Sequence, residues 1–165
     1  MSLSHEYFGK LNLNSYDVWT TEMTINGKLV AVQLSLDSDS VSRQNLLTVQ
    51  TLDKCAAICQ NIEQFDQQNR EMLIDYLNND REFMDDYLNE PDEYADSEPL
   101  VAFYEGDKSI SSFVALLQVM QINLIINDTK TLIASDYMID QNYSDQILCV
   151  YRKSNGDLMN IGAES

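Results

Sequence analysis

Acidic side chains are the most concentrated chemically active groups in this chain. Half of the fourteen residues from 80 to 93 are acidic, namely Asp80, Glu82, Asp85, Asp86, Glu90, Asp92 and Glu93. Two carboxyl groups that flank a cleft can hydrolyse a glycoside, provided that burial separates their pKa values. Because this run is predicted to lie on surface helix and loop, it does not by itself indicate a hydrolase.

The spacing of the acids does not match a calcium-binding loop. Such a loop places carboxylates at alternating positions, a glycine at the sixth position and a glutamate at the twelfth. Asp37 and Asp39 begin in that rhythm, but Val41 and Ser42 replace the third acid and the glycine. We therefore predict no dedicated metal site, and no residue pattern indicates a cofactor.

The histidine and cysteines offer little further chemistry. His5 is the single histidine, so a Ser or Cys nucleophile could find a histidine base only if the N-terminal region docked into a site. Cys55 and Cys59 lie four residues apart on a predicted helix and would need two more ligands to hold zinc. With Cys149 they form an odd set, which indicates reduced, buried thiols in a reducing cytoplasm. The scattered glycines exclude a phosphate-binding loop, and we predict no catalytic residues.

Net charge is the strongest compositional signal. Ten Lys and Arg residues against 27 Asp and Glu residues give −17. Residues 63–107 hold 15 of the acids and only Arg70 and Arg81, a net charge of −13. Nucleic acid and anionic membranes attract basic surfaces, so neither is an expected partner. A concentrated negative field instead favours a basic protein partner.

The length of 165 residues suits a single domain with a two-layer core. No apolar run approaches the ~18 residues of a transmembrane helix, and the N-terminus lacks the pattern of a secretory signal. We predict one cytoplasmic domain, residues 1–165. Its parts are an N-terminal arm (1–15), a hairpin (16–36), a mostly helical acidic segment (42–120) and a set of strands (121–162).

The clearest local structure is a hairpin around Asn26-Gly27. Both positions of a two-residue hairpin turn need positive φ, which Asn and Gly tolerate. This turn pairs Ile25 with Lys28 and Met23 with Val30. The register places Trp19, Met23, Val30, Val32 and Leu34 on one face and Thr20, Glu22, Gln33 and Ser35 on the other.

The middle of the chain has helical spacing. Asp37-Ser-Asp-Ser is predicted to end the hairpin, and a helix is predicted from about Ser42 to Ile62, with Leu46, Val49, Leu52, Ala56, Cys59 and Ile62 on its apolar face. A second helix is predicted to start at Asp66 as its N-cap, and a short turn of helix carries Phe83, Tyr87 and Leu88. The stretch 90–98 is predicted to be an exposed acidic loop, and Ser109 to cap a helix through about Met120.

Strands return at the end of the chain, at 122–126, 131–139, 146–152 and 158–161. A second turn, Asn155-Gly156, pairs Val150 with Ile161. Strands at both ends and helices between them predict an α+β fold. We expect a mainly antiparallel sheet of about six strands, with three to four helices packed on one face.

Short motifs near both ends carry a family resemblance. Asp136-Tyr137, Asp145, 147–150, Asn155-Gly156, Ile161 and Glu164-Ser165 together resemble the tail of a bacterial family of domains of unknown function, numbered two thousand and four. The segment 8–11, ahead of a Trp-containing strand, is similar to the opening of that family. The resemblance implies a cytoplasmic protein without catalytic residues. Small acidic α+β proteins of this kind are often suspected of being immunity proteins that neutralise a toxin.

Three functional hypotheses remain open. The first is a non-enzymatic, immunity-type binding protein whose acidic helical surface captures a basic partner; its partner-binding residues would be Asp80, Glu82, Asp85, Asp86, Glu90, Asp92, Glu93 and Tyr94. Tyr94 is included because an exposed tyrosine ringed by carboxylates is typical of an interaction surface. The second is a carboxylate-dependent hydrolase or small-molecule-binding enzyme. The third is a structural or regulatory module in which the acidity serves solubility alone. Nothing in the sequence specifies an oligomeric state.

Overall fold

A computed structural model of the protein describes residues 3–37 and 43–165. The predicted strand break at 38–40 and the predicted helix start near Ser42 lie outside these ranges. A small two-stranded sheet comes first, formed by β1 (Leu3–His5) and β2 (Gly9–Leu11). The main sheet has six strands, β3 (Asp17–Ile25), β4 (Lys28–Asp37), β5 (Gln118–Asn127), β6 (Thr131–Met138), β7 (Ile147–Lys153) and β8 (Leu158–Glu164).

The helices lie between β4 and β5 in the sequence. A short 3-10 helix (Arg43–Leu46) precedes α1 (Val49–Gln60), α2 (Ile62–Asn79), α3 (Glu82–Leu88), α4 (Glu98–Glu105) and α5 (Ile110–Leu116). The strands of the main sheet follow one another in chain order, and every neighbouring pair is antiparallel except β4 and β5. The predicted α+β fold is confirmed. The helical segment serves as the long crossover that a parallel pair requires.

The first hairpin forms as predicted. Asn26 and Gly27 have φ values of 52° and 79°, and the register pairs Ile25 with Lys28 and Met23 with Val30. The second turn is wider than predicted. Val150 does pair with Ile161, but Arg152 lies opposite Leu158, so β8 accommodates one extra residue as a bulge.

One face of the main sheet carries the core. A single row across five strands, Val32, Ile122, Ser135, Val150 and Ile161, is buried beneath the helices. Side chains of the opposite face are mostly half-buried or exposed. We call this second side the open face; its principal side chains are Asp17, Glu22, Asp37, Gln121, Ile125, Leu132, Ala134, Asp136, Cys149, Tyr151, Lys153 and Glu164.

Several helix boundaries differ from the predictions. Val49 is 69% exposed and is not on an apolar face, because it is the first residue of α1 after the capping Thr48. Asp66 is not an N-cap, since α2 already begins at Ile62 and Asp66 lies buried within it. The predicted loop 90–98 ends where α4 begins, and Pro99 lies in the first turn of that helix, where proline is tolerated.

The helix that begins after Ser109 is shorter than predicted. Ser109 does cap α5, accepting a hydrogen bond from the backbone N of Ser112 at 3.1 Å. The helix ends at Leu116, however, and Met120 already belongs to β5. The apolar residues between 116 and 120 fit a buried strand as well as a helix, and pairing with β4 and β6 decides in favour of the strand.

Candidate functional site

Seven carboxylates form a stretch of negative surface at the end of α2, on α3 and in the following loop. We call the set Asp80, Glu82, Asp85, Asp86, Glu90, Asp92 and Glu93 the acidic surface. Six of them are exposed and Asp85 is half-buried. Within the described residues, Arg81 makes the one ion pair of this group, to Asp85 at 3.5 Å. Because a partly exposed pair of this kind neutralises little, the surface keeps most of its negative field.

The helix α3 turns its acids outward because its apolar residues anchor the other side. Phe83, Met84 and Tyr87 are buried. Asp86 follows between them on the solvent side, and Glu82 occupies the first turn, where a negative charge also favours the helix dipole. Phe83 and Tyr87 are buried and Asp86 is exposed, as predicted, whereas Leu88 and Asp85 are half-buried.

The loop after α3 holds the remaining acids through consecutive tight turns. The backbone N of Glu93 donates to the carbonyl of Glu90 at 3.1 Å, and the N of Ser97 donates to the carbonyl of Tyr94 at 3.0 Å. Side chains then tie the loop to the segment between β6 and β7. Ser97 Oγ donates to Asp140 Oδ2 at 2.8 Å, and Tyr143 OH donates to the carbonyl of Asp96 at 3.2 Å. These bonds fix the acidic loop against the end of the sheet.

Tyr94 is buried, contrary to the prediction that it is exposed. Only 7% of its surface is accessible, and its ring centroid lies 5.0 Å from that of Tyr87. Burial raises the pKa of its hydroxyl, and the charges of Glu93, Asp86 and Glu90 raise it further. A loop that folds back onto apolar residues can bury an aromatic ring, and the ring then removes a large area from contact with water. Tyr94 therefore supports the acidic surface from beneath.

An aromatic cluster lies under this surface. Its rings belong to Phe83, Tyr87, Tyr94, Phe103, Tyr104 and Phe113. Tyr104 OH donates to the carbonyl of Tyr87 at 2.6 Å, and Tyr87 OH donates to Ser144 Oγ at 3.0 Å. Burial raises the pKa of Tyr87 to about 12. The acids thus project from a packed and hydrogen-bonded base.

A pocket adjoins the acidic surface where the loop meets the sheet. It has a volume of about 450 Å³, and its walls include Glu93, Tyr94, Met138, Tyr143 and Asp145. Carboxylates accept hydrogen bonds from an ammonium or guanidinium group, and tyrosine faces attract cations. The chemistry of the pocket therefore suits a cationic side chain.

A buried polar network between α2 and the sheet was not predicted from the sequence. Its centre is Asp66, which is 1% exposed. Asp66 Oδ1 accepts from Tyr137 OH at 2.6 Å, and Oδ2 accepts from Arg70 Nε and Asn26 Nδ2, both at 2.9 Å. The pKa of Tyr137 is raised well above its ordinary value by burial and by the neighbouring carboxylate. The network joins α2 to β6 and to the tip of the first hairpin.

The same network extends through Asn69 to a second buried cation. Arg152 is 3% exposed and donates from Nη1 to Asn69 Oδ1 at 2.9 Å and from Nη2 to Gln68 Oε1 at 2.8 Å. Its guanidinium carbon lies 4.0 Å from the centroid of the Phe65 ring. Burial lowers the pKa of Arg152. Polar residues at 66 and 69, on the helix side that also buries 62, 65, 73 and 77, were the available sequence signal.

The N-terminal region does dock against a helix, through His5. Its Nε2 lies 2.8 Å from Asp53 Oδ1 of α1, and its Nδ1 accepts from the backbone N of Tyr7 at 3.2 Å. Both ring nitrogens are therefore engaged, and neither is available as a general base. The His5 ring thus links the small β1–β2 sheet to α1 through its hydrogen bond with Asp53.

Cysteines and carboxylates do not gather into a ligand set within the described residues. Cys55, Cys59 and Cys149 are free and buried, and burial raises the pKa of each thiol to about 12. No group of three His, Cys, Asp or Glu residues in residues 3–37 and 43–165 could hold a metal ion. None of the helices in this part of the chain is long and apolar enough to cross a bilayer.

The chain matches no known protein-family model, and neither a curated protein nor a solved structure shows significant similarity to it. The resemblance of its two ends to a family of unknown function thus stays a prediction.

Proposed function

We propose that this chain is a non-enzymatic binding protein that captures a basic protein partner with its acidic surface. The observation that carries the proposal is the accumulation of seven carboxylates, six exposed and one half-buried, over one stretch of the chain. These acids lie above a buried aromatic cluster and have a single ion pair among the described residues.

The electrostatic field gives the mechanism. A concentrated patch of one sign steers an oppositely charged partner and raises the association rate, most strongly at low ionic strength. A toxin that acts on nucleic acid is one partner of suitable chemistry, because its substrate site must be basic. An acidic protein can occupy that site in place of phosphate. Such a role agrees with the cytoplasmic, immunity-type function that the family resemblance implies.

The pocket beside Glu93 adds a place for specific recognition. A lysine or arginine of the partner could enter this pocket, where Glu93 and Asp145 would meet its charge and the exposed Tyr143 would meet its stem. Charged groups on the rim of an interface set the rate of encounter, whereas an anchored side chain in a pocket slows dissociation. The acidic surface would thus supply the speed of capture and the pocket would supply its lifetime.

A carboxylate hydrolase has less support from the same residues. The acids of the acidic surface are in water, where the burial that separates catalytic pKa values is absent. Asp66 is the buried alternative, but both of its oxygens already accept hydrogen bonds from Tyr137, Arg70 and Asn26. No oxygen of Asp66 is left without a protein donor, so its place in the fold is structural.

The proposal is tested with two variants of equal charge. One neutralises the acidic surface with Asp85→Asn, Asp86→Asn, Asp92→Asn and Glu93→Gln. The control neutralises four exposed acids elsewhere, with Glu6→Gln, Glu71→Gln, Asp75→Asn and Glu105→Gln. A partner is first isolated with the wild-type chain from the source organism at low salt, and its association rate with each variant is then measured.

We expect the surface variant to associate at least about tenfold more slowly at low salt and the control to stay within about twofold of wild type. The difference should shrink as salt is raised. If both variants slow association equally, the charge acts diffusely and the acidity serves solubility. If the surface variant binds like wild type, the acidic surface is not the binding site.

A further inference from the structure

The open face of the sheet presents an apolar centre that no part of the core uses. Ile125, Leu132, Ala134 and Tyr151 lie on adjacent strands, and all four are half-buried. The register places Ile125 opposite Leu132 and Ala134 opposite Tyr151. An antiparallel sheet commonly leaves one face to solvent, but that face is then usually polar. The apolar centre here is typical of the core of a protein interface.

Carboxylates surround this centre. Asp17 and Glu22 lie on the edge strand β3, Glu164 lies on the opposite edge strand β8, and Asp136 lies between them on β6. Asp37 adds a fifth carboxylate at the end of β4. Among the described side chains of the open face, Lys153 is the one opposing charge. Carboxylates therefore lie on several sides of the apolar centre, and the cationic Lys153 lies opposite Leu132.

Hydrogen bonds hold three of these carboxylates in place. Asp17 Oδ1 accepts from Ser35 Oγ at 2.7 Å, Asp136 Oδ2 accepts from Gln121 Nε2 at 2.8 Å, and Glu164 Oε1 accepts from Tyr151 OH at 2.7 Å. A carboxylate can accept bonds through both oxygens, so each keeps capacity for a cationic donor. Their rotamers are set before any partner arrives, which lowers the entropic cost of binding.

We infer that the open face is a second docking surface of this protein, and that it takes a basic, partly apolar surface of another protein. The negative charge of the open face excludes nucleic acid and anionic membranes as its partners. The net negative charge also disfavours a second copy of this chain docked face to face, because the two faces would repel each other. The open face is formed by different residues from the acidic surface, and the inference stands whether or not the acidic surface binds a partner.

The dimensions of the open face agree with a modest protein contact. Six strands at about 4.8 Å spacing make it about 24 Å wide, and seven residues per strand make it about 23 Å long. The area of the face, roughly 550 Å², is about two-thirds of the roughly 800 Å² that one partner buries in a standard interface. A partner that covers the centre therefore also reaches the carboxylates on both edge strands.

The test uses a defined probe, a dodecapeptide of alternating arginine and valine, with the glutamate–valine peptide as control. Each is titrated into isotopically labelled full-length protein, and backbone amide signals are followed by NMR. The sheet variant Asp136→Asn/Glu164→Gln is compared with Asp86→Asn/Glu93→Gln, which removes the same charge from the acidic surface. If Asp136→Asn disturbs the spectrum of the free sheet, Glu22→Gln/Glu164→Gln replaces it.

We expect the arginine–valine peptide to shift amides in β5, β6 and β7, and the sheet variant to weaken that titration roughly fivefold. The acidic-surface variant should leave the titration of the sheet amides within about twofold of wild type. Absence of shifts in these strands would overturn the inference, as would equal weakening by both variants or equal shifts with the glutamate–valine peptide. If the peptide shifts amides of the sheet in the wild-type protein but none at the acidic surface, that result counts against the proposed function and supports the open face.

Discussion

Asp66 and Asp86 are identical side chains on consecutive helices, and their surroundings differ in every respect. Asp66 is buried between α2 and the sheet, where Tyr137, Arg70 and Asn26 donate to its two oxygens. Asp86 is exposed on α3 and belongs to a surface with one ion pair among seven acids within the described residues. The buried carboxylate joins elements of the fold, whereas the exposed one contributes to a field.

This contrast distinguishes the energetic cost of burying a carboxylate from the role that an exposed carboxylate can have. A buried charge is tolerated only when partners replace its lost hydration, so removing any partner strongly destabilises the fold. An exposed charge keeps its water and influences stability weakly. Mutations in the buried network should therefore change stability, and mutations in the acidic surface should change recognition.

The largest expected effect belongs to Asp66→Asn. The substitution preserves shape but leaves Arg70 without its counter-charge and directs an amide at two existing donors. We expect a loss of about 3 to 5 kcal/mol in the free energy of unfolding. Urea denaturation followed by circular dichroism measures it. A loss no larger than that of Asp86→Asn would break the distinction between the two regions.

Tyr137→Phe should have the next largest effect. It removes the donor to Asp66 Oδ1 and leaves that oxygen short of a partner, which costs about 1 to 3 kcal/mol at neutral pH. Because the folded state raises the pKa of Tyr137, this group stabilises the fold below its unfolded pKa of about 10 and loses that contribution as pH rises. The difference between wild type and variant should therefore narrow in alkaline solution. Urea titrations at pH 7 and above pH 10 would show whether it does.

Ser109→Ala should have a smaller effect, of about 1 kcal/mol, because it removes the side-chain cap of α5. Hydrogen bonds from Ser109 and Ser112 also lower the pKa of the exposed Asp107. The variant should return that pKa towards its ordinary value, as seen by NMR titration of the carboxyl carbon. Because the pKa of Asp107 is lower in the folded protein than in the unfolded chain, its carboxylate stabilises the fold above the unfolded pKa. This stabilisation is lost as pH falls through the folded pKa. The difference in the free energy of unfolding between wild type and variant should therefore decrease somewhat below pH 4. An unchanged pKa of Asp107 in the variant would contradict this account of the cap.

The smallest change in stability is expected from neutralising the acidic surface itself. Asp86→Asn and Glu93→Gln should each leave the free energy of unfolding within about 0.5 kcal/mol of wild type. Combined, they should stabilise slightly at low salt, because they relieve repulsion between neighbouring carboxylates, and the gain should disappear at high salt. Urea denaturation at two salt concentrations distinguishes this outcome. Clear destabilisation would mean that these acids hold the fold together after all.

Local patterns predicted the parts of the fold that local forces decide. Asn26-Gly27 specified its turn and register because few residues tolerate positive φ, and the flanking alternation agreed with that register. The outward direction of the acids on α3 followed from the spacing of Phe83 and Tyr87 in the same way. The six exposed acids of the acidic surface were therefore predictable from the sequence alone.

Contacts between distant segments decided the rest. Tyr94 was predicted to be exposed because its neighbours in the sequence are acids, yet its neighbour in space is the ring of Tyr87. Asp66 resembled an N-cap until α2 proved to begin at Ile62, and its main partner, Tyr137, is 71 residues away in the sequence. The parallel pairing of β4 with β5 likewise could not be predicted from the sequence of either strand.

The sequence by itself determined the α+β class, the first hairpin and the concentration of negative charge, because periodicity, turn chemistry and composition act over a few residues. Only the tertiary structure decided which polar groups are buried, which aromatic rings support the acidic surface and which face of the sheet remains open. The reason is physical: burial and pairing depend on what the rest of the chain places against a side chain, and no short segment carries that information.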